Sequence, residues 1–180
     1  MSTETPTEHH VPQVVTRPEQ PYLAIRGSAR DEQGFRDAVD RAFPLLFAHL
    51  AGRGLQPAGP AVFRYLVVDD GTVPAEGSPP AEFDVAVPVA TTVDGEGEIR
   101  AGVLPAGRWA VTLHRGGYAT LPDAHAVTHT WVAEEGLRIA HHLTPAGTAY
   151  AGSFEQFVRG PIDPPEPEGW ETLVAYLLAD

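Results

Sequence analysis

The segment Phe154-Glu155-Gln156-Phe157-Val158 sets a carboxylate inside an apolar, β-prone run. Side chains of a strand alternate between its two faces, so Glu155 and Phe157 share one face while Phe154, Gln156 and Val158 share the other. An anion among rings is costly unless it is protonated or balanced by a cation. For the same reason it attracts a lipophilic cation, by charge and by ring contact together. The competing arrangement has Glu155 on a solvent face, or paired with Arg64 or Arg159. Tyr65, Phe83 and Trp109 on extended runs, with Tyr118, Trp131 and Trp170 in the second half, are the further candidates to line a cleft around it. Tyr65 and Trp109 lead this group because they lie on strands rather than on the buried stripe of a helix.

Other chemistries find little support. His125 and His129 have the four-residue spacing that puts two imidazoles on one helical face, and His114 or His141 could complete a metal set. Ala126, Val127 and Thr128 between them exclude an HExxH pattern, and no metal or cofactor is expected. Gly152-Ser153-Phe154 lacks the glycine pattern of a nucleophile elbow. Ala51-Gly52-Arg53-Gly54 ends a helix, whereas a phosphate loop begins one. The chain has no Cys, which removes thiolate catalysis and disulfides.

The elements that must position Glu155 read as a duplication. Each half carries an apolar-periodic helix that closes in Gly-Leu (Gly54-Leu55 and Gly136-Leu137), then an extended run, a Pro-rich loop and a second extended run. Strands are expected over residues 22–26, 62–68, 83–89, 98–103, 108–115, 153–158 and 170–178. Phe35, Val39, Ala42, Phe43, Leu46 and Leu50 recur at three- and four-residue intervals and predict the first helix, kinked or split at Pro44. Thr120 is expected to cap the second, whose inward face is Leu121, Ala124, Thr128, Trp131 and Val132. Residues 69–81 and the stretch around His141-His142 read as loops. The fold class is α+β: two β-α-β-β units, about 19–90 and 97–180, joined in one antiparallel sheet with both helices on one face and a ligand cleft between the halves. A helix-free sheet face made concave by twist is the expected pocket. Residues 1–18 read as a disordered tail, too short for a helix-turn-helix domain.

Composition narrows the partners. The net charge is -12, all twelve basic residues are Arg, and such a surface opposes a polyanion, so direct nucleic-acid binding is not expected. The polar, acidic first ten residues lack the features of a secretory signal, and no apolar run is long enough to span a bilayer. A cytoplasmic protein without a membrane partner is the resulting expectation.

Together the residues resemble a known family, the GyrI-like small-molecule-binding domain, which also serves as the effector-binding module of AraC- and MerR-type regulators. The resemblance covers residues 21–178. It rests on the duplicated plan, on Pro57-Ala58-Gly59-Pro60 before Phe63-Arg64-Tyr65, and on His114-Arg115-Gly116-Gly117-Tyr118 leading to Leu121. Trp131-Val132 and Gly136-Leu137, then Glu155-x-Phe157 followed by Gly160-Pro161 and a strand containing Thr172, complete it. It implies a cleft for flat, hydrophobic, often cationic compounds centred on a strand glutamate, which maps onto Glu155. Phe157 stands where the family usually has Tyr, which removes a hydroxyl donor. Members without a DNA-binding domain act alone, so the leading expectation is a stand-alone binding protein for hydrophobic or cationic small molecules, of the multidrug type. The first alternative is a hydrolase that opens cyclopropane-containing genotoxins, with Glu155 as general acid or base and Tyr118 or Tyr65 positioning the substrate. The second is a gyrase-modulating protein whose acidic surface acts as a decoy for a DNA-binding face, and the partner expected besides a small molecule is gyrase or a second copy of the chain.

Overall fold

Alternating apolar runs and two amphipathic segments give thirteen elements in the computed structural model, which describes residues 8–9, 11–69, 81–160 and 166–180. In chain order they are β1 (Glu8–His9), β2 (Gln13–Arg17), β3 (Gln20–Ala29), α1 (Glu32–Gly52), β4 (Val62–Val68), β5 (Ala81–Pro88), β6 (Ile99–Leu104), β7 (Gly107–Arg115), α2 (Leu121–Glu134), β8 (His141–Thr144), β9 (Gly147–Tyr150), β10 (Ser153–Arg159) and β11 (Glu171–Leu177). Single 3₁₀ turns precede α2 (Tyr118–Thr120) and β11 (Pro167–Gly169).

Among the described residues the strands form one antiparallel sheet, in the order β1-β7-β11-β10-β4-β5-β3-β6. β2 continues the β1 edge along β7, and the β8–β9 hairpin attaches to the far end of β4. The two β-α-β-β halves are therefore β3-α1-β4-β5 and β7-α2-β10-β11, and they meet where β4 pairs with β10. In that pairing Phe63 and Glu155 are direct cross-strand partners and topological counterparts. One half contributes a ring at the junction and the other contributes a charge.

Three expectations are corrected locally. Residues 13–17, expected in a disordered tail, form β2, because Val14 and Val15 add apolar surface and their backbone completes the open edge of β7. His141 and His142, expected in a loop, lie on β8, where Gly147 at φ 125° permits the tight turn into β9. Thr120 does not cap α2: its hydroxyl donates back to Gly117 O at 3.1 Å, and the 3₁₀ turn leads into the helix instead. By contrast, Asp31 caps α1, accepting from the Gly34 backbone N–H at 2.8 Å. α1 runs unbroken through Pro44, which sits on the exposed side, where water can serve the carbonyl that loses its donor. The loop expected over residues 69–81 falls, for residues 70–80, outside the described residues.

Both helices cover the same sheet face. α1 lays Ala42, Leu46 and Leu50 over Leu23, Ile25, Phe63, Phe83 and Val85, and α2 lays Leu121, Ala124 and Val132 over Ala110, Val174 and Tyr176. The opposite face is curled in on itself. Arg64 on β4 donates to Val103 O on β6 at 2.8 Å, and Arg17 on β2 stands 4.9 Å from the Phe154 ring centroid on β10; each contact skips two intervening strands. Tyr22, Trp109, Val111 and Phe154 fill that curl. A buried network closes it, in which Tyr22 donates to Asp84 Oδ2 (2.9 Å), Arg26 to Asp84 Oδ1 (3.0 Å) and Arg64 to the Tyr22 oxygen (2.8 Å). Burial first, and the Asp84 charge second, push the Tyr22 phenol up to about 12, so it stays a donor. The concave face is thus an apolar core and not the expected pocket.

Candidate functional site

The helix-bearing face leaves a gap where β4 and β10 meet, because α1 and α2 each cover only their own half. A cavity of about 590 Å³ occupies it. Its floor is Tyr65 and Val68 of β4, Ser153 and Glu155 of β10, and Tyr176 of β11; Glu32 and Phe35 of α1 form one wall. Tyr118, Leu121 and His125, at the start of α2, form the other. Both helix N-termini flank the gap.

Glu155 is 6% exposed and held by two side chains. The Tyr65 hydroxyl donates to Oε1 at 2.8 Å, and His125 Nε2 lies 2.7 Å from the same oxygen. Neither bond uses Oε2. His125 Nδ1 in turn lies 2.6 Å from the Tyr176 hydroxyl. Register explains why these residues converge. Tyr65 is two positions from Phe63, which pairs with Glu155, while Tyr176 is two from Val174, which pairs with Glu155 on the other side. All five of these strand residues therefore point to the helix face. His125 descends from α2, one turn after the buried Leu121.

The phenols of the site are held in their neutral form. Burial, then the Glu155 charge and its hydrogen bond, push Tyr65 well above the usual phenol range. Burial chiefly raises Tyr176, with Tyr150 and Glu155 adding to it against a hydrogen bond from Ser153 that lowers it, and burial followed by Glu155 raises Tyr118. Tyr65 consequently remains a donor to the carboxylate at neutral pH. No Arg lines the cavity among the described residues, so its charged groups are Glu155 and the rim residue Glu32, which Arg36 meets at 2.9 Å. The cavity thus sets the rings of Phe35, Tyr65, Tyr118 and Tyr176 around a negative charge.

The model of the GyrI-like small molecule binding domain matches residues 10–168. The chain belongs to that family. As a GyrI-like domain it shares its fold with the EcmrR C-terminal domain (TM-score 0.71, 18% identity, 97% of this chain and 98% of that one). It is likewise similar to the chain in the cryo-EM structure of the EcmrR–DNA complex (TM-score 0.69, 19% identity), where the match covers 96% of this chain and 58% of that one. A hydrolase encoded by lin2189 from Listeria innocua (TM-score 0.60, 13% identity, 93% and 91% of the two chains) has the same fold. So does SAV2435 bound to tetraphenylphosphonium (TM-score 0.55, 10% identity, 93% of each chain). At these identities the likeness is one of fold. Comparison with curated proteins finds no match.

Within this GyrI-like domain, three of the eight residues singled out from sequence (Glu155, Tyr65 and Tyr118) line the cavity. Phe157 and Trp170 stand just behind, their ring centroids 5.7 and 4.8 Å from that of Tyr118. The remaining three do not reach it. Trp109 is 1% exposed on the opposite face, against Phe154, because its neighbours Ala110 and Thr112 take the helix side of β7. Phe83 lies under α1, its centroid 4.3 Å from that of Phe63 and 5.1 Å from that of Phe35, and supports the wall without touching the cavity. Trp131 packs half-buried against the α2 core, set by its place beside Val132.

Sequence reasoning missed Tyr176, Tyr150, Phe35 and the role of His125. Tyr176 shares a face with Thr172 and Val174 by simple alternation, a visible signal, but joining it to Glu155 requires the β10–β11 register. The His125–His129 spacing suggested a metal pair, whereas both His125 nitrogens face protein oxygens and His129 packs its ring 4.5 Å from that of Tyr176. Among the described residues no group of three or more His, Asp or Glu side chains could hold a metal ion. No described helix is long and apolar enough to cross a membrane.

Proposed function

We propose that this domain binds planar, hydrophobic and preferably cationic small molecules in the cleft between α1 and α2, as a multidrug-type binding or sequestering module. The observation that carries the reading is a buried carboxylate at the floor of a cavity walled by Phe35, Tyr65, Tyr118 and Tyr176 and free of Arg among the described residues. A desolvated anion of this kind is relieved by a cation, and the rings supply contact area and cation–π attraction. The volume, about 590 Å³, suits a drug-sized ligand. SAV2435, of the same fold, is bound to tetraphenylphosphonium, a lipophilic cation. Calorimetric titration with tetraphenylphosphonium tests the proposal: saturable, one-site binding is expected, and the absence of heat or of protection against thermal unfolding at millimolar ligand ends it.

The Tyr65–Glu155 hydrogen bond favours one alternative, hydrolysis of cyclopropane-containing genotoxins. Glu155 would take a proton from water as its oxygen bonds to a ring carbon and the strained C–C bond breaks, with a proton returned to the ring electrons as Tyr65 or Tyr118 orients the substrate. A neighbour of the same fold is a hydrolase. Under this reading, incubation with a spirocyclopropane alkylator yields a water adduct over many turnovers by mass spectrometry. Tyr65→Phe lowers that rate at least hundredfold while tetraphenylphosphonium still binds within about threefold. Capture without turnover leaves the binding reading alone.

A further inference from the structure

His125 joins the anion of the cleft to a second, buried hydroxyl, and its two nitrogens are served in a way that either protonation state can satisfy. In the neutral ring, Nε2–H donates to Glu155 Oε1 at 2.7 Å and Nδ1 accepts from the Tyr176 hydroxyl at 2.6 Å. In the imidazolium, both nitrogens donate, Nε2 to the carboxylate and Nδ1 to the Tyr176 oxygen, and the Tyr176 proton must point elsewhere. Ser153 Oγ is placed to receive it: Ser153 is the cross-strand partner of Tyr176, and its buried hydroxyl is in hydrogen-bonding reach of that phenol.

We infer that His125 determines which ligand charge the cleft accepts: neutral, it leaves Glu155 free to hold a cation, and protonated, it neutralises Glu155 and turns the cleft towards uncharged ring compounds. This rests on the ligand-binding reading and adds to it a residue that selects between ligand classes. Imidazoles titrate between about pH 5 and 8, so the selection lies in an accessible range. The change needs no backbone movement, because every heavy-atom contact is kept.

The groups facing His125 agree with this role. From β4, the Tyr65 ring lies edge-on at 5.8 Å; from β11, the Tyr176 ring lies at 5.7 Å; from β10 comes Glu155. Tyr118 of the 3₁₀ turn, Tyr150 of β9 and Glu32 of α1 share the cavity. Tyr65, Tyr118 and Tyr176 are kept protonated chiefly by burial, and Glu32 meets Arg36, which leaves Glu155 as the partner that an imidazolium would neutralise. On its own helix His129 follows one turn later, and beyond it His141 of β8 lines a second cavity of about 430 Å³. Burial, then His125 and His141, push His129 down, which favours its neutral form.

The test titrates the protein with tetraphenylphosphonium and with uncharged triphenylphosphine oxide from pH 9 to pH 5, in the wild type and in His125→Gln. In the wild type the Kd for the cation rises at least tenfold towards low pH, with a slope of at most one decade per pH unit, while that of the uncharged compound holds or falls. In His125→Gln the cation's Kd stays flat within about threefold down to pH 6. Histidine NMR on the wild type reads the same linkage without any variant: saturating tetraphenylphosphonium shifts the His125 midpoint to lower pH and the uncharged compound does not. Binding without pH dependence, or an unmoved His125 midpoint, overturns this inference alone. So does the same dependence persisting in His125→Gln, which would assign the proton to Glu155. Failure of both compounds to bind at any pH removes the ligand-binding reading, and this one with it.

Discussion

Glu155→Gln is expected to weaken tetraphenylphosphonium binding at least tenfold, while an uncharged ring compound of similar size binds within about twofold of its wild-type affinity. Gln keeps the volume of Glu155 and a carbonyl oxygen that can still accept from Tyr65, so no cavity opens and the register of β10 between β4 and β11 is kept. What is lost is the charge. A hydrogen-bonded or paired charge in a desolvated site is worth about 1.5–3 kcal/mol, which is tenfold or more in Kd. Calorimetry at pH 8 and low salt reads the effect, and thermal unfolding checks that the variant is folded. Equal affinities for the cation in both proteins would assign all of the binding to ring contact and remove the electrostatic part of the proposal.

Trp109→Ala is expected to cost about 3–5 kcal/mol of stability while leaving the cation's Kd in the folded protein within about twofold. Trp109 is 1% exposed in the curl of the sheet, with its centroid 5.1 Å from that of Phe154, and its ring is seated over Gly152, where an added Cβ would fall 2.5 Å from Cη2. Truncation therefore leaves a void between rigid strands that cannot collapse. Part of the loss is offset, because Trp109 Nε1 is buried without a hydrogen-bond partner among the described residues and its removal relieves that group. Against a typical total of about 5–15 kcal/mol the net cost is a large share, visible as a lowered urea midpoint at unchanged m. The reverse pattern, a nearly normal midpoint with ligand binding abolished, would move the ligand to the concave face.

These two substitutions divide what could be read in the chain from what could not. Alternation along residues 154–158 put Glu155 and Phe157 on one face, and the apolar stripes and Gly-Leu closures marked both helices and the duplication. Those are local properties: a period of two or of about 3.6 and a residue that tolerates positive φ, as Gly54 (67°) and Gly136 (66°) do, are fixed by near neighbours in sequence. Which face of the sheet carried the cavity was not local. Trp109 and Tyr65 look alike in sequence, each an aromatic on a strand, yet the register of β7 turns one into the closed curl and that of β4 turns the other towards the helices.

The chain by itself determined that an acid and a ring, Glu155 and Phe157, would share one face of a strand in the second of two repeated halves, because side chains two positions apart point the same way. Tertiary structure alone decided the company that acid keeps. Tyr65, His125 and Tyr176 are separated from Glu155 by 90, 30 and 21 positions, and they meet only because β4 and β11 flank β10 in antiparallel register while α2 lowers one imidazole into the gap. A one-residue slip in either pairing would turn its tyrosine to the opposite face, so the partners of the charge are a property of the pairing and not of any single segment.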